Sequence, residues 1–253
     1  MNPYLTLPAS FLIGVLAGIC TGLIHVKCKV RDLLSGIIMM TALWTINLRL
    51  AGTANVPIFG EDSIFDNAAV NGIFQGGASS YKVLVIVLII AVVSKVLLDL
   101  YMKTKSGFLL RAVGDNEVLV TSLAKDEGNV KILGLAIANG LVSLAGSIFC
   151  QEQRVFEISS GTGAIVIGLA AVIIGEAVFS RIFHNFALKL ASVSIGAIIY
   201  YIVIQLVLTL GFDANLLKLL SASVVAIFLA VPYWKGKYFS KPVKKAKEDA
   251  KNA

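Results

Sequence analysis

Seven continuous apolar stretches decide what this chain can fold into. They run over about residues 9–26, 33–50, 83–101, 132–150, 163–180, 186–210 and 216–232. Each is close to the roughly 20 residues an α-helix needs to cross the hydrocarbon core of a bilayer. Hydrophobicity runs right round each stretch rather than along one stripe, the pattern of a helix in lipid. The runs do not alternate, which argues against a spanning β-barrel. Only 15% of the 253 residues are charged, against about 25% in soluble domains, so a soluble globule of this size would lack a polar coat. The apolar content excludes intrinsic disorder. Cys20, Cys28 and Cys150 form no CxxC pair and no cluster with histidine at metal-ligand spacing. Neither a disulfide scaffold nor a metal site is expected. The expected fold class is all-α: a polytopic membrane helical bundle of about seven transmembrane helices.

Lysine and arginine orient the bundle. One set of connections holds Lys27, Lys29 and Arg31, then Lys103, Lys105, Arg111, Lys125 and Lys131, then Arg181 and Lys189, then seven lysines of the tail. The alternate set holds only Arg49, Lys82, Arg154 and Lys218, and Lys95 lies inside a span. The seventeen-to-four split alternates without exception. The positive-inside rule then puts the rich set, and the C-terminus, in the cytoplasm. Seven spans place Met1 outside. No charged n-region and A-x-A-like site marks a cleavable signal peptide. Either the N-terminus is external without one, or a preceding helix is absent from the chain. Residues 1–232 read as one transmembrane domain with a long cytoplasmic loop over 102–131. Residues 233–253 read as a basic tail that holds most of the net charge of +7. A Lys-rich tail directly after an apolar segment suits anionic membrane lipid rather than nucleic acid.

Two loops stand out. The external loop from Ala51 to Lys82 is too long to be structureless, and Ile64 to Phe74 is expected to pack on the outer face as a short helix or re-entrant piece. It reads equally as a docking surface for an external partner and as a cap on the bundle. In the 102–131 loop, Asp115 and Asn116 are good helix N-caps. Glu117 suits the positive end of the helix dipole. Val118, Leu119, Leu123 and Ala124 give an apolar face, and Gly128 fits a helix stop. The pattern predicts an amphipathic helix of about ten residues. Such a helix either lies among the headgroups or inserts into a groove on a cytoplasmic partner.

Within the spans, Gly14, Gly18 and Gly22 make two overlapping GxxxG steps that let another helix approach closely. Packing within one subunit is the more ordinary use, a dimer seam the other. Ionisable groups at membrane depth are costly and count as functional candidates. Lys95 and Asp99 stand at i,i+4 and can pair. Glu176 lies near the cytoplasmic end of its span, and His25 reads as interfacial. Trp44, Asn47 and Asn139 are candidates for a polar path, or for helix–helix hydrogen bonds. No Asp/Glu/His chain crosses the bilayer, which weakens a proton-coupled transporter. There is no HExxH, no GxSxG and no GxxxxGK[ST], so neither an enzyme nor ATP binding through a P-loop is expected. No cofactor is expected.

The stretch from Gly107 to Ser147 carries a resemblance. Leu110-Arg111-Ala112-Val113-Gly114-Asp115-Asn116, followed by a short helix, a lysine and an apolar span with small residues, resembles the coupling region of bacterial ABC importer permeases of the branched-chain amino acid and ribose type. The run from Gly161 to Glu176 is similar to that family's following span. The whole is most similar to a subgroup that accompanies a substrate-binding lipoprotein and an ATPase, with members assigned to tryptophan or other aromatic amino acids. Family members usually carry one more N-terminal span before the region matching Met1 to Tyr4.

The resemblance implies a permease subunit in the bacterial cell membrane, working as a pair of copies. A separate ATPase subunit binds the ATP, and an extracytoplasmic lipoprotein delivers an amino acid, with an aromatic one as the finer expectation. It implies coupling through Arg111, Gly114, Asp115, Asn116, Glu117, Leu119 and Leu123. The other expectation is a secondary transporter or channel that works alone, for which inverted repeats and broken helices would speak; no clear repeat is seen.

Overall fold

The computed structural model describes residues 2–73, 81–116, 120, 126–161, 164–179 and 186–210, with five further residues between 219 and 230. In chain order the elements are α1 (Pro3–Lys27), α2 (Asp32–Ala51), β1 (Asn55–Pro57), α3 (Ala68–Ile73), α4 (Lys82–Met102), α5 (Lys105–Asp115), α6 (Glu127–Gln153), β2 (Val155–Glu157), α7 (Ala164–Phe179) and α8 (Phe186–Thr209). Helices α1, α2, α4, α6 and α8 are long and apolar enough to cross a membrane, and α7 is a shorter apolar helix. These six match the first six apolar stretches. The seventh, 216–232, lies largely outside the described residues.

Local chemistry sets the helix ends. Asn2 accepts a hydrogen bond from the Tyr4 amide at 3.1 Å and Pro3 opens α1, a position where a missing N–H costs nothing. Helix α2 starts on Asp32 and stops at Gly52, whose φ of 77° only glycine adopts freely, with its amide donating to Leu48. Asp126 caps α6 by accepting from the Gly128 amide at 3.0 Å, and Glu127 adds charge to the first turn. Helices α1 and α6 are therefore several residues longer than their apolar runs.

The chain divides into two compact units, residues 1–159 and 160–253. In the first, α1 packs along α6. A Cβ on Gly14 would stand 2.5 Å from the Asn139 carbonyl oxygen. One on Gly18 would meet the Leu135 carbonyl and lie 2.6 Å from Ala136 Cα, and one on Gly22 would lie 2.9 Å from Ile132 Cα. On α6, Gly140 admits the ring of Phe11. The GxxxG stripe is thus a packing seam within the chain. In the second unit Gly175 of α7 meets the Ser192 backbone of α8, and Gly196 of α8 meets Ala171 and Gly175. Ala170, Ile174 and Tyr200 form the buried cluster beside that seam.

At one end of the first unit the described part of the loop after α2 folds as a cap. Strand β1 pairs antiparallel with β2, Val56 opposite Phe156, although 100 residues separate them. Ile64 and Phe65 are buried. The Ile64 amide donates to Gln151 at 3.0 Å, and Gln151 donates to Thr6 at 2.8 Å, so the cap ties α6 to the start of α1. Arg154 donates to the Glu61 carbonyl at 2.7 Å and to Asp66 at 2.9 Å. Asp66 also receives Asn71 at 3.2 Å and Lys82 at 3.3 Å. The hydrogen bond from Asn71 holds its carboxyl below the ordinary value of 3.8, with Lys82 and Arg154 adding to the effect.

Candidate functional site

The opposite, basic end carries the motif-bearing segment, and α5 organises it. Thr104 caps α5, accepting from the Gly107 amide at 3.3 Å. The turn from α4 into α5 is tight: a Cβ on Gly107 would lie 2.5 Å from Met102 Cα. Tyr101 and Ser106 hydrogen-bond across it at 3.0 Å. Arg111 reaches back to donate to the Met102 carbonyl at 2.7 Å. Its guanidinium lies 4.6 Å from the centre of the Phe108 ring, within cation–π range. Leu110 packs on Gly134 of α6, and Val113 is buried. Arg111 thus braces the corner, while Gly114, Asp115 and Asn116 are exposed at the end of the helix.

The expected helix between Asn116 and a Gly128 stop needs correction at both ends. The segment up to Asp115 is itself helical, so Asp115 closes α5 instead of opening the next helix. Asn116 is the C-cap of α5, its backbone extended and its amide donating to the Ala112 carbonyl. Its own carbonyl accepts from the Val120 amide at 3.4 Å, as an N-cap residue's carbonyl does. Val120 is helical and 1% exposed. Gly128 is not a stop. It lies in the first turn of α6, where Val26 of α1 leaves no room for a Cβ. Asp126 outcompetes it by offering a cap one residue before Glu127. Glu117, Leu119 and Leu123 lie outside the described residues, as do Val118 and Ala124. The buried Val120 was missed by the sequence pattern, although it ends the apolar run 118–120.

The other candidates separate. Lys95 and Asp99 pair on α4 at 2.6 Å. Trp44 is 47% exposed, and Asn47, one turn on, is exposed too. Asn139 turns its amide back to the Leu135 carbonyl at 2.9 Å, within α6. No hydrogen bond among the described residues joins Asn139 to Trp44 or Asn47. Glu176 is exposed on α7 in the second unit; Arg181 lies outside the described residues. His25 bonds through Nδ1 to the Val30 carbonyl at 2.7 Å and lies 3.2 Å from Asp32, fastening the connection between α1 and α2. Among the described residues no group of three or more His, Cys, Asp and Glu stands ready to hold a metal.

A family model described as branched-chain amino acid transport system / permease component matches residues 1–231. The chain is 36% identical over 230 residues to the tyrosine transport system permease protein of Clostridioides difficile (strain R20291), covering 91% of this chain and 73% of that protein. It is 31% identical over 209 residues to an uncharacterised protein of Rickettsia prowazekii (strain Madrid E), covering 80% of this chain and 69% of that one. No solved structure matches.

Proposed function

The chain belongs to the permease-component family of branched-chain amino acid transport systems, and from that premise we propose that it is the membrane-spanning subunit of an ABC importer for an amino acid. It is a multi-pass transport subunit rather than an enzyme. In the proposed assembly a separate ATPase binds and hydrolyses ATP. A substrate-binding lipoprotein delivers solute, and a second copy of this chain completes the path. The basic end, with the C-terminus, faces the cytoplasm. An aromatic amino acid is the proposed solute, by likeness to the tyrosine transport system permease.

The observation that carries the ATPase contact is the exposed run Gly114-Asp115-Asn116 at the end of a firmly seated helix. Helix α5 is held to α4 through Arg111 and to α6 through Leu110 and Gly134. A push on its exposed end therefore reaches two membrane-spanning helices as a rigid-body displacement. Asp115, Asn116, Glu117, Leu119 and Leu123 are the proposed contact residues, and Arg111 positions them. Trp44 and Asn47, exposed on α2, are the proposed solute contacts.

The test is co-purification of the tagged protein from its native membrane in mild detergent, followed by mass spectrometry. A P-loop ATPase and a lipoprotein are expected to travel with it. Asp115→Lys combined with Glu117→Lys is expected to lose the ATPase and keep membrane insertion. Recovery of the protein alone, still moving solute in liposomes, would replace this reading with a stand-alone transporter.

A further inference from the structure

The corner between α4 and α5 carries two open lysines and an open phenyl ring at the end of a membrane-spanning helix. We propose that it holds an anionic phospholipid, with the phosphodiester on Lys103 and Lys105 and an acyl chain against Phe108. The proposal rests on α4 spanning the membrane and is independent of the ATPase reading.

Position is the first argument. Helix α4 has 21 residues, about 31 Å at 1.5 Å per residue, against a hydrocarbon core of about 30 Å. With Lys82 at one boundary, Met102 reaches the other, and Lys103 and Lys105 fall among the headgroups. Phe108, in the first turn of α5, is 58% exposed, and Leu97 and Leu100 are exposed near the end of α4. Acyl chains at this level cover apolar surface that water would otherwise meet.

Charge is the second argument. Lys103 and Lys105 are exposed, and among the described residues neither side chain has an ion-pair or hydrogen-bond partner. From Lys95 to Asp115 the chain holds four cations and two carboxylates. Asp99 is committed to Lys95 at 2.6 Å. Asp115 closes the far end of α5, about 15 Å along the helix from Lys105 and beyond the Debye length of about 8 Å at physiological salt. The other carboxylates of the basic end gather at that far end too. Asp32 lines a recess there with Val113, Gly114 and Lys131, and Glu127 lies 4.0 Å from Lys131. Asp126 caps α6. The two lysines of the corner therefore keep their charge for an outside anion.

Rigidity is the third argument. Thr104, between the lysines, caps α5, and Gly107 backs onto Met102. Arg111 donates to the Met102 carbonyl while its guanidinium stands by the Phe108 ring. Lysines and ring are thus carried on a braced turn, which lowers the ordering cost of binding.

The test uses the whole protein in phosphatidylcholine nanodiscs. Trp44→Phe and Trp234→Phe remove the native indoles, and Phe108→Trp supplies the probe. Brominated phosphatidylglycerol or brominated phosphatidylcholine is added as the minority lipid. Both are expected to quench, phosphatidylglycerol at a mole fraction about 25-fold lower, from about fivefold for each lysine at an anionic surface. Lys103→Gln is expected to cut that preference about fivefold and, combined with Lys105→Gln, to remove it. Lys27→Gln with Lys29→Gln, the same charge taken from the α1–α2 connection, is expected to keep it. No quenching by either lipid, equal quenching by both, or equal loss with the Lys27 and Lys29 changes would overturn the proposal. So would a preference erased by inorganic phosphate at constant ionic strength, which marks a free-anion site. Native mass spectrometry of the chain with its own tryptophans gives a second measurement: the Lys103 and Lys105 double variant is expected to retain less phosphatidylglycerol, and unchanged retention would also overturn the proposal.

Discussion

Helices α1 and α4 have nearly the same length and α4 is the more apolar, yet they are used in opposite ways. Five residues of α1 are buried within the chain, among them Gly14, Gly18 and Gly22. No residue of α4 is. In water the more apolar helix would sit deeper. In lipid the surroundings are as apolar as the side chains, and association depends on how closely backbones approach. Helix α1 has three glycines on one face; the α4 sequence from Lys82 to Met102 has none, and is rich in Leu, Ile and Val. The same rule holds in the second unit, where the α7–α8 contact is built on Gly175 and Gly196.

The strongest way to break this contrast is to thicken α1. Gly18→Leu is expected to be the most damaging single change, because even its Cβ meets the Leu135 carbonyl and Ala136. Overpacking of this kind costs about 3 kcal/mol. Loss of the monodisperse peak in detergent would report it, and normal recovery would sink the seam. Gly196→Val is expected to act similarly in the second unit, with a Cβ 2.6 Å from the Gly175 amide nitrogen. Valine is the smaller insertion, so a cost of about 2 kcal/mol is expected, measured as a lower Tm.

How much of this was legible in the sequence follows the range of each interaction. The spans were legible because continuous apolar runs carry their own signal, and the Lys95–Asp99 pair because its spacing is local. The glycine face of α1 was legible, but not that α6 covers it, since GxxxG names a face and no partner. The pairing of Val56 with Phe156 had no signal, each strand being three residues long. In sequence Arg154 reads only as a loop charge, while its φ of 56° and its reach to Glu61 and Asp66 depend on tertiary structure. Around the candidate site the motif was visible and the helix boundaries were not. Thr104, Asp115, Asn116 and Asp126 all offer caps within 23 residues, and packing chooses among them.

The cap at the other end gives milder tests, because it is held by polar contacts at a partly wet surface. Arg154→Ala is expected to cost about 1 kcal/mol, from one carbonyl hydrogen bond and one exposed ion pair. It should also loosen residues 55–66 in hydrogen exchange while leaving the α1–α6 seam protected. A smaller effect belongs to pH. The Asp66 carboxyl titrates lower in the folded chain than its ordinary 3.8. Its contribution is therefore complete above that value and fades as pH falls through the lower, folded one. Asp66 is half-exposed, so solvent screens the pair. A shallow fall in Tm below pH 4 is expected, absent in Asp66→Asn.

The smallest expected effect is the sharpest control. Gly36 lies in α2, one residue after the buried Ser35, and a Cβ there meets nothing within 4 Å. If glycine matters in this chain only where a second backbone presses against it, Gly36→Ala lowers stability by no more than a few tenths of a kcal/mol, or raises it by up to about 1 kcal/mol through helix propensity. The same substitution at Gly18 is damaging, with the same chemistry added to a helix of similar composition. The pair therefore separates close approach from any general intolerance of α-helices in this membrane protein to a methyl group. A large loss at Gly36 would mean that a backbone beyond the contacts seen among the described residues presses on α2 as tightly as α6 presses on α1, and the exposed α2 would then be a second seam.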